Sequence, residues 1–178
     1  GKAIAPYSEL WIEGASAERL AQGIVGEVVV RGATIMQGYL NEPEAAAFTL
    51  RNGTLHTGDL GYLDEEGDLW LVQRRSDLIV SGGENVYPAE VEAALKGHPQ
   101  IIDACVVGLP HPEWGQQVSA LVVVRTPITQ DEITDYLRSR LAGYKLPRRV
   151  RFADALPLTA NGKVARAVVT QIMRDGSD

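Results

Sequence analysis

Cysteine is almost absent from this sequence, and no apolar run approaches the length of a membrane span. Cys105 is the sole cysteine among 178 residues, so the chain has no partner for an internal disulfide. It lies in the apolar segment IIDACVV (residues 101–107), which predicts a buried strand residue. Because a bilayer span needs about 20 apolar residues, we expect no membrane-spanning helix. A sole, buried cysteine is typical of a reducing compartment, so we expect a cytoplasmic protein.

An excess of positive charge is also lacking. The chain has 17 Lys and Arg against 23 Asp and Glu, a net charge of −6, so it lacks the basic footprint of a nucleic-acid-binding protein. The charge is uneven: residues 1–73 hold 4 basic and 11 acidic residues, whereas residues 74–178 hold 13 and 12. The change from −7 to +1 predicts a domain boundary near Arg74.

Basic residues in the second part form a cluster. Such a cluster is ordinarily a solvated surface, and its functional interpretation is attraction of a phosphorylated ligand. The cluster comprises Arg138, Arg140, Lys145, Arg148, Arg149 and Arg151.

Residues 1–73 show short alternating or β-branched segments separated by glycine turns, a pattern typical of antiparallel strands. The last two strands pair across the turn Glu65-Glu66-Gly67. Pro43 suits the first position of a short helical turn. We therefore expect a small antiparallel β-barrel or sheet here. Its predicted strands are residues 9–13, 26–32, 61–64 and 68–72.

After Arg74 the pattern changes to alternating strands and helices, which predicts an α+β module. One helix begins at Pro88 and ends before Gly97. Another begins with the capping box Thr129/Glu132, and Gly143 is predicted to end it. Its apolar stripe is Ile133, Leu137 and Leu141. The remaining predicted elements are strands at residues 101–107, 118–125 and 150–152 and a helix at residues 164–173.

Two charged residues near this boundary are candidates for ligand binding. Asp59, in the segment Thr57-Gly58-Asp59, either bonds backbone amides in a turn or accepts hydrogen bonds from both hydroxyls of a ribose. Arg74 either forms a surface ion pair worth ~0–1 kcal/mol or donates to the same sugar or its phosphate.

Two glycine-containing segments are further candidates. Gly82-Gly83 allows either a turn before the Pro88 helix or close approach of a ligand to the backbone. Asn161-Gly162-Lys163 is a turn signal, and a lysine beside a turn is ordinarily solvated. The sequence has no Gly-Lys-Ser/Thr phosphate loop.

Taken in order, these segments resemble the C-terminal third of the adenylate-forming acyl-CoA ligases. The segment PLTANGKVAR (157–166) is similar to the catalytic-lysine segment of that family. The segment GDLWLVQRRSDLIVSGGENVYPAEVE (67–92) is similar to its hinge and glycine-rich loop. Gly58-Asp59, EWGQ (113–116) and YKLP (144–147) resemble three further family segments.

The resemblance implies a role for each candidate. Lys163 would be catalytic, Asp59 and Arg74 would hold the ribose, and Gly82 and Gly83 would leave room for the pantetheine arm of CoA. Ser76 stands at the family's hinge position, where Asp or Lys is usual. The implied fold is a distal β-subdomain (1–73), a hinge, and a mobile α+β cap (74–178).

The implied reaction has two steps: a carboxylic acid attacks ATP to form an acyl-adenylate and pyrophosphate, and the cap then rotates so that CoA attacks the adenylate. The implied cofactors are ATP/AMP, CoA and Mg²⁺. The phosphate loop, acyl pocket and Mg²⁺ ligand would lie in an N-terminal domain upstream of Gly1. We therefore expect no metal site in this fragment and no activity from it alone.

Within this superfamily the sequence is most similar to the o-succinylbenzoate–CoA ligases of menaquinone and phylloquinone synthesis. The resemblance rests on RRSDLIVSGGENVYP (74–88) and the short connection RTPIT (125–129). The alternatives are a fatty-acid or aryl acid–CoA ligase and a carrier-protein adenylating domain. From a different class, a binding or regulatory module would use the same fold without an upstream catalytic core.

Overall fold

The computed structural model describes residues 7–41 and 43–175, which form two compact units. The first unit ends at Ser76 and the second begins at Asp77. The α+β fold class predicted from the sequence is confirmed, because each unit contains a five-stranded sheet and helices accompany both. Within the described ranges, no helix combines the length and apolarity that crossing a membrane requires.

The first unit is an antiparallel sheet with strand order β1-β2-β4-β3, and β5 pairs with β4. Four apolar residues of its strands are buried: Ile12, Val28, Val29 and Leu60. Ile12 and Val28 are cross-strand partners on β1 and β2. The elements are β1 (Ser8–Glu13), β2 (Gly26–Gly32), α1 (Pro43–Thr49), β3 (Leu50–Arg51), β4 (Thr54–Leu63) and β5 (Leu69–Arg74).

Strand β4 is longer than the predicted strand because it also contains Thr57-Gly58-Asp59. Interpreting that tripeptide as a turn is therefore wrong. Gly58 has φ +71° within the strand, a conformation that favours glycine, and the register with β5 shifts between Leu60 and Gly61. These irregularities interrupt the regular sequence pattern without ending the strand.

The second unit is a mixed sheet with strand order β10-β9-β6-β7, and β8 pairs with β9. Strand β10 runs parallel to β9, whereas β6 and β8 run antiparallel to it. The elements are β6 (Ile79–Ser81), β7 (Glu84–Val86), α2 (Pro88–Lys96), β8 (Ile101–His111), β9 (Gly115–Val124), α3 (Gln130–Arg138), β10 (Arg149–Ala153) and α4 (Arg166–Asp175).

Alternation along β8 and β9 builds two separate cores. Ala104 and Val106 belong to the core that α2 and α3 complete, whereas Cys105 and Val107 belong to the core completed by Val169 and Met173 of α4 in the same unit. Successive strand residues point to opposite faces, so one ladder serves both cores. The interpretation of Cys105 as a buried strand residue is confirmed.

The predicted capping box of α3 is confirmed, but the predicted end of this helix is wrong. Thr129 N donates to Glu132 Oε2 (2.8 Å), and Glu132 N donates to Thr129 Oγ1 (3.3 Å). The helix ends at Arg138, and Gly143 instead begins a 3-10 turn. Leu141 still packs on the core from outside the helix, so the apolar pattern extends beyond the helical segment.

Helix α4 also begins later than predicted. Residue 164 was expected to be helical, but Val164 forms an antiparallel bridge with Leu158. The helix begins two residues further on, at Arg166.

We expect Thr129→Ala to lower the free energy of unfolding by about 1 kcal/mol, because it removes the side-chain oxygen that caps α3. Urea unfolding followed by far-ultraviolet circular dichroism would measure the change. Thr134→Ala is the control, since its hydroxyl donates back to Gln130 O within the helix and caps no helix end. Equal losses in the two variants would contradict the capping role.

Candidate functional site

Asp59 and Arg74 lie side by side in the first unit. They are cross-strand partners on β4 and β5, and Arg74 Nε lies 2.8 Å from Asp59 Oδ1. Arg74 Nη1 also donates to Thr57 O (3.1 Å). The Asp59 side chain is 31% exposed and that of Arg74 is 63% exposed. A ligand approaching this edge would meet a carboxylate and a guanidinium already aligned.

A cleft of about 570 Å³ adjoins Arg74 in the first unit. Glu27 is a buried carboxylate in its wall that accepts hydrogen bonds from Gly58 N (3.2 Å) and Arg75 Nη1 (2.7 Å). It therefore links β2 to the bulged part of β4. Sequence reasoning missed Glu27, although a carboxylate inside the β-branched segment GEVVV was a usable signal. The lining residues are Glu27, Arg51, Gly58, Arg74, Arg75 and Ser76.

Ser76, the predicted hinge residue, is the last residue of the first unit. It is exposed and lies in a 3-10 turn, Arg75–Asp77, directly after β5. The change from one compact unit to the other thus falls within residues 74–77.

Gly82 and Gly83 form the two-residue loop of the β6–β7 hairpin, not a simple turn before the Pro88 helix. Their φ values are +60° and +85°, and Ser81 pairs with Glu84 across them. Two consecutive positive φ values are typical of a type I′ hairpin turn, which favours glycine. Apart from adjacent residues of the chain, no atom of the described residues lies within 4 Å of the position that a Cβ would take at either glycine. This turn, which we call the glycine hairpin, therefore borders open space in the described part of the chain.

The glycine hairpin is anchored by the segment EWGQ. Strand β6 has one ladder pair with β9, Ser81 with Gly115. Gly82 N donates to Trp114 O (3.0 Å), and Val80 N donates to Gln116 Oε1 (2.8 Å). The Gln116 side chain thus replaces part of a ladder, and two segments that carry the family resemblance contact each other.

Several members of the basic cluster contact neighbouring protein groups. Lys145 Nζ lies 2.7 Å from both carboxylate oxygens of Glu90, and this hydrogen bond raises the pKa of Lys145. The Arg148 guanidinium lies 5.1 Å from the Trp114 ring, and the His111 ring stacks on the same indole at 4.3 Å. The cluster is therefore partly structural.

Lys163 lies on a short hairpin, the lysine hairpin (residues 158–164). Its base is the Leu158–Val164 bridge, and Thr159 closes it by donating to Lys163 O (2.7 Å) and accepting from Lys163 N at Oγ1 (3.2 Å). The Lys163 side chain is exposed, and no ion pair joins it to any other residue in the described ranges. Its ammonium is thus presented by a structured turn.

Arg166, three residues after Lys163, was missed by sequence reasoning. Its Nη1 and Nη2 donate to the two oxygens of Glu92 at 2.7 and 3.1 Å, and Nη1 also donates to Val106 O at 2.8 Å. Its Nε lies 3.2 Å from Asp77 Oδ2. Glu92 and Arg166 are 74 positions apart, so no local spacing signals this pair.

The Cys105 thiol and a group of three carboxylates could in principle react or bind a metal, but the structure gives each of them a structural role. Burial raises the pKa of the Cys105 thiol to about 11, so it is protonated and unreactive at neutral pH. The carboxylates of Asp64, Glu66 and Asp68 lie within 4.8 Å of one another. Asp64 accepts from the backbone N–H groups of Glu66 and Asp68 and from Trp70 Nε1, so it holds the β4–β5 turn together.

Comparison with known proteins gives results in agreement with the sequence-based resemblance. Residues 90–163 match the AMP-binding enzyme C-terminal domain. The 2-succinylbenzoate–CoA ligase of Bacillus cereus (strain AH820) is 47% identical over 150 residues, which is 84% of this chain and 31% of that protein. The predicted resemblance to the C-terminal portion of adenylate-forming acyl-CoA ligases is confirmed.

Solved structures show the same relationship. The o-succinylbenzoate CoA synthetase of Bacillus subtilis, in complex with the acyl-adenylate intermediate OSB-AMP, has a TM-score of 0.83 and 42% identity over 92% of this chain and 34% of its own. The amide bond synthetase McbA of Marinactinospora thermotolerans has a TM-score of 0.84 and 38% identity, covering 94% and 35%. ATP-bound MatB of Rhodopseudomonas palustris has a TM-score of 0.88 and 32% identity, covering 96% and 35%. The chain spans about one third of each of these proteins.

Proposed function

We propose that this chain, which belongs with the C-terminal portions of the adenylate-forming acyl-CoA ligases, is part of an ATP-dependent o-succinylbenzoate–CoA ligase of menaquinone synthesis. The observation that carries the proposal is the high identity to 2-succinylbenzoate–CoA ligases over most of the chain. Identity to the corresponding B. subtilis structure also exceeds identity to McbA and MatB. A cytoplasmic location stays a prediction, supported by the free, buried Cys105.

In the first half-reaction, the substrate carboxylate attacks the α-phosphate of ATP, and pyrophosphate leaves. Asp59 would accept hydrogen bonds from the ribose hydroxyls while Arg74, held at 2.8 Å, adds a donor beside it. Lys163 would place its ammonium where negative charge develops between carboxylate and phosphate. The phosphate loop, acyl site and Mg²⁺ ligand would come from an upstream domain.

In the second half-reaction, the CoA thiol attacks the acyl carbonyl, its proton is lost, and AMP leaves. We propose that a rotation at Ser76 withdraws Lys163 and brings in the glycine hairpin. The open space beside Gly82 and Gly83 supports this role, because a narrow pantetheine arm needs a backbone without side chains. Asp59 and Arg74 would hold the ribose in both steps.

The similarity to McbA favours a second candidate function, amide bond formation, in which an amine replaces CoA as acceptor. Fatty-acid or aryl acid–CoA ligase and carrier-protein adenylation remain the substrate alternatives. A binding or regulatory module is the alternative from outside catalysis. Because the proposal places the acyl site upstream of this chain, the acid and the acceptor are tested on the longer protein.

We expect the full-length protein to release pyrophosphate from ATP and Mg²⁺ with o-succinylbenzoate faster than with fatty or aryl acids. We expect the 178-residue chain alone to release none, because it has no phosphate loop. A coupled pyrophosphate assay, followed by mass spectrometry of products formed with CoA, an amine or a carrier protein, measures both steps. Release by the isolated chain above a heat-killed control would refute its assignment as a partial enzyme.

We expect Lys163→Ala in the full-length protein to slow adenylate formation by ~10²–10³-fold, because it removes a donor that stabilises the transition state. Thioester formation from supplied acyl-adenylate should be spared. Asp59→Ala should slow both steps, since the ribose is held in both. Lys96→Ala, which removes a surface lysine 3.8 Å from Asp103, is the control. Equal loss of both steps in Lys163→Ala would contradict the assignment.

We expect Ser76→Pro in the full-length protein to favour one conformation, because proline fixes φ near −65° and restricts the preceding residue. One half-reaction should stay near the wild-type rate while the other slows. Single-turnover measurement of each step, with circular dichroism to verify folding, tests this. Ser76→Ala leaves φ unrestricted, so it should not reproduce the selective loss of one half-reaction. A folded Ser76→Pro protein that performs both steps normally would place the hinge elsewhere.

A further inference from the structure

A half-buried ionic cluster links the start of α4 to three other parts of the second unit. We call it the Arg166 junction, formed by Arg166, Glu92, Asp77 and the carbonyl of Val106. The Arg166 side chain is 30% exposed and that of Glu92 is 13% exposed. Val106 N donates to Glu92 Oε1 (2.9 Å), so Arg166 and the backbone of β8 share one carboxylate. The junction therefore connects α4, α2 and β8.

Arg166 also lies at the base of the lysine hairpin. Ala165 N donates to Pro157 O (2.8 Å), and Arg166 N donates to Val164 O (3.1 Å). These backbone hydrogen bonds hold the short segment that connects Lys163 to Arg166, whose guanidinium fixes the end of the hairpin. Thr159 closes the lysine hairpin on itself, and Val164 packs against the core that contains Cys105. Arg166 connects the base of the hairpin to α2.

Helix stability does not account for an arginine at this position. The first turn of a helix favours acidic side chains because the N-terminal end of the helix dipole is positive, and α4 has none there. A half-buried ion pair is also weak evidence of a stabilising role, since desolvation offsets much of its attraction. What the bidentate Arg166–Glu92 pair does provide is a fixed geometry, which a lysine cannot reproduce.

The glycine hairpin is held by different contacts. Its anchors are the carbonyl of Trp114 and the side-chain oxygen of Gln116, and neither belongs to the Arg166 junction. The two segments that serve the two proposed half-reactions are thus attached to the second unit independently. A change at Arg166 should affect one attachment and spare the other.

We propose that Arg166 is a positioning residue for the half-reaction that uses Lys163. It fixes the base of the lysine hairpin to α2, β8 and Asp77, the residue directly after the proposed hinge, so that rotation carries Lys163 to the α-phosphate at a defined distance. This inference rests on the proposed function of Lys163. It assigns Arg166 no contact with substrate.

The kinetic test uses Arg166→Gln in the full-length protein. We expect adenylate formation to fall about 10- to 100-fold, the effect of a misplacement near 1 Å, while thioester formation from supplied acyl-adenylate stays within about twofold of wild type. Arg166→Lys retains the charge but not the bidentate geometry and should recover part of the loss. Arg19→Gln, which removes an exposed ion pair with Glu9, is the matched control.

The structural test measures amide hydrogen exchange by mass spectrometry in the same proteins. We expect faster exchange in peptides that cover residues 158–164 in Arg166→Gln, and unchanged exchange around Gly82 and Gly83. If Arg166→Gln does not fold, Arg166→Lys should show the same selective effects at smaller size. If the wild-type protein forms no adenylate with any acid, the proposed function fails, and exchange alone then decides whether Arg166 holds the hairpin.

Equal losses in both half-reactions would make Arg166 merely structural and would overturn the proposal. Unchanged adenylate formation in a folded Arg166→Gln protein, or unchanged exchange at residues 158–164, would also overturn it.

Discussion

The register of the β8–β9 ladder is the constraint on which the second unit depends. These two strands supply alternate residues to both of its cores, so a slip of one residue would exchange the two buried faces. The turn between them carries Trp114 and leads into Gln116, which hold the glycine hairpin. Val106 of β8 offers its N–H to Glu92 and its carbonyl to Arg166. In the second unit, the backbone positions that build the fold therefore also hold the glycine hairpin and contact Arg166.

Local signals in the sequence were sufficient for much of this fold. The Thr129/Glu132 capping box, Pro88 at the start of α2 and the turn at residues 65–67 each depend on neighbouring residues, and the structure has all three. The predicted strand was shorter than β4 because glycine at position 58 is typical of a turn. In the structure, pairing with β2 on one side and with β5 on the other keeps β4 extended through Gly58. Pairing partners distant in sequence leave no such local signal.

The candidate site shows the same division. Turn chemistry and family resemblance predict five site residues, and the structure places two of these, Asp59 and Arg74, side by side. The five are Asp59, Arg74, Gly82, Gly83 and Lys163. The groups that hold such residues were missed. Glu27 offered one weak signal, a carboxylate inside a β-branched strand, and Arg166 meets Glu92 across 74 positions. A supporting residue is identified by the three-dimensional contact it makes, and one sequence contains no record of that contact.

The burial of Cys105 has a practical consequence for the chemical labelling of this chain. Its thiol is enclosed by the sheet and α4 and stays protonated at neutral pH, so we expect maleimide dyes not to react with it. A thiol engineered onto an exposed surface of either unit would then be the reactive one within these 178 residues. Fluorophores could therefore be attached at chosen engineered cysteines without first replacing Cys105, and pairs of such labels would allow distance measurements on single molecules.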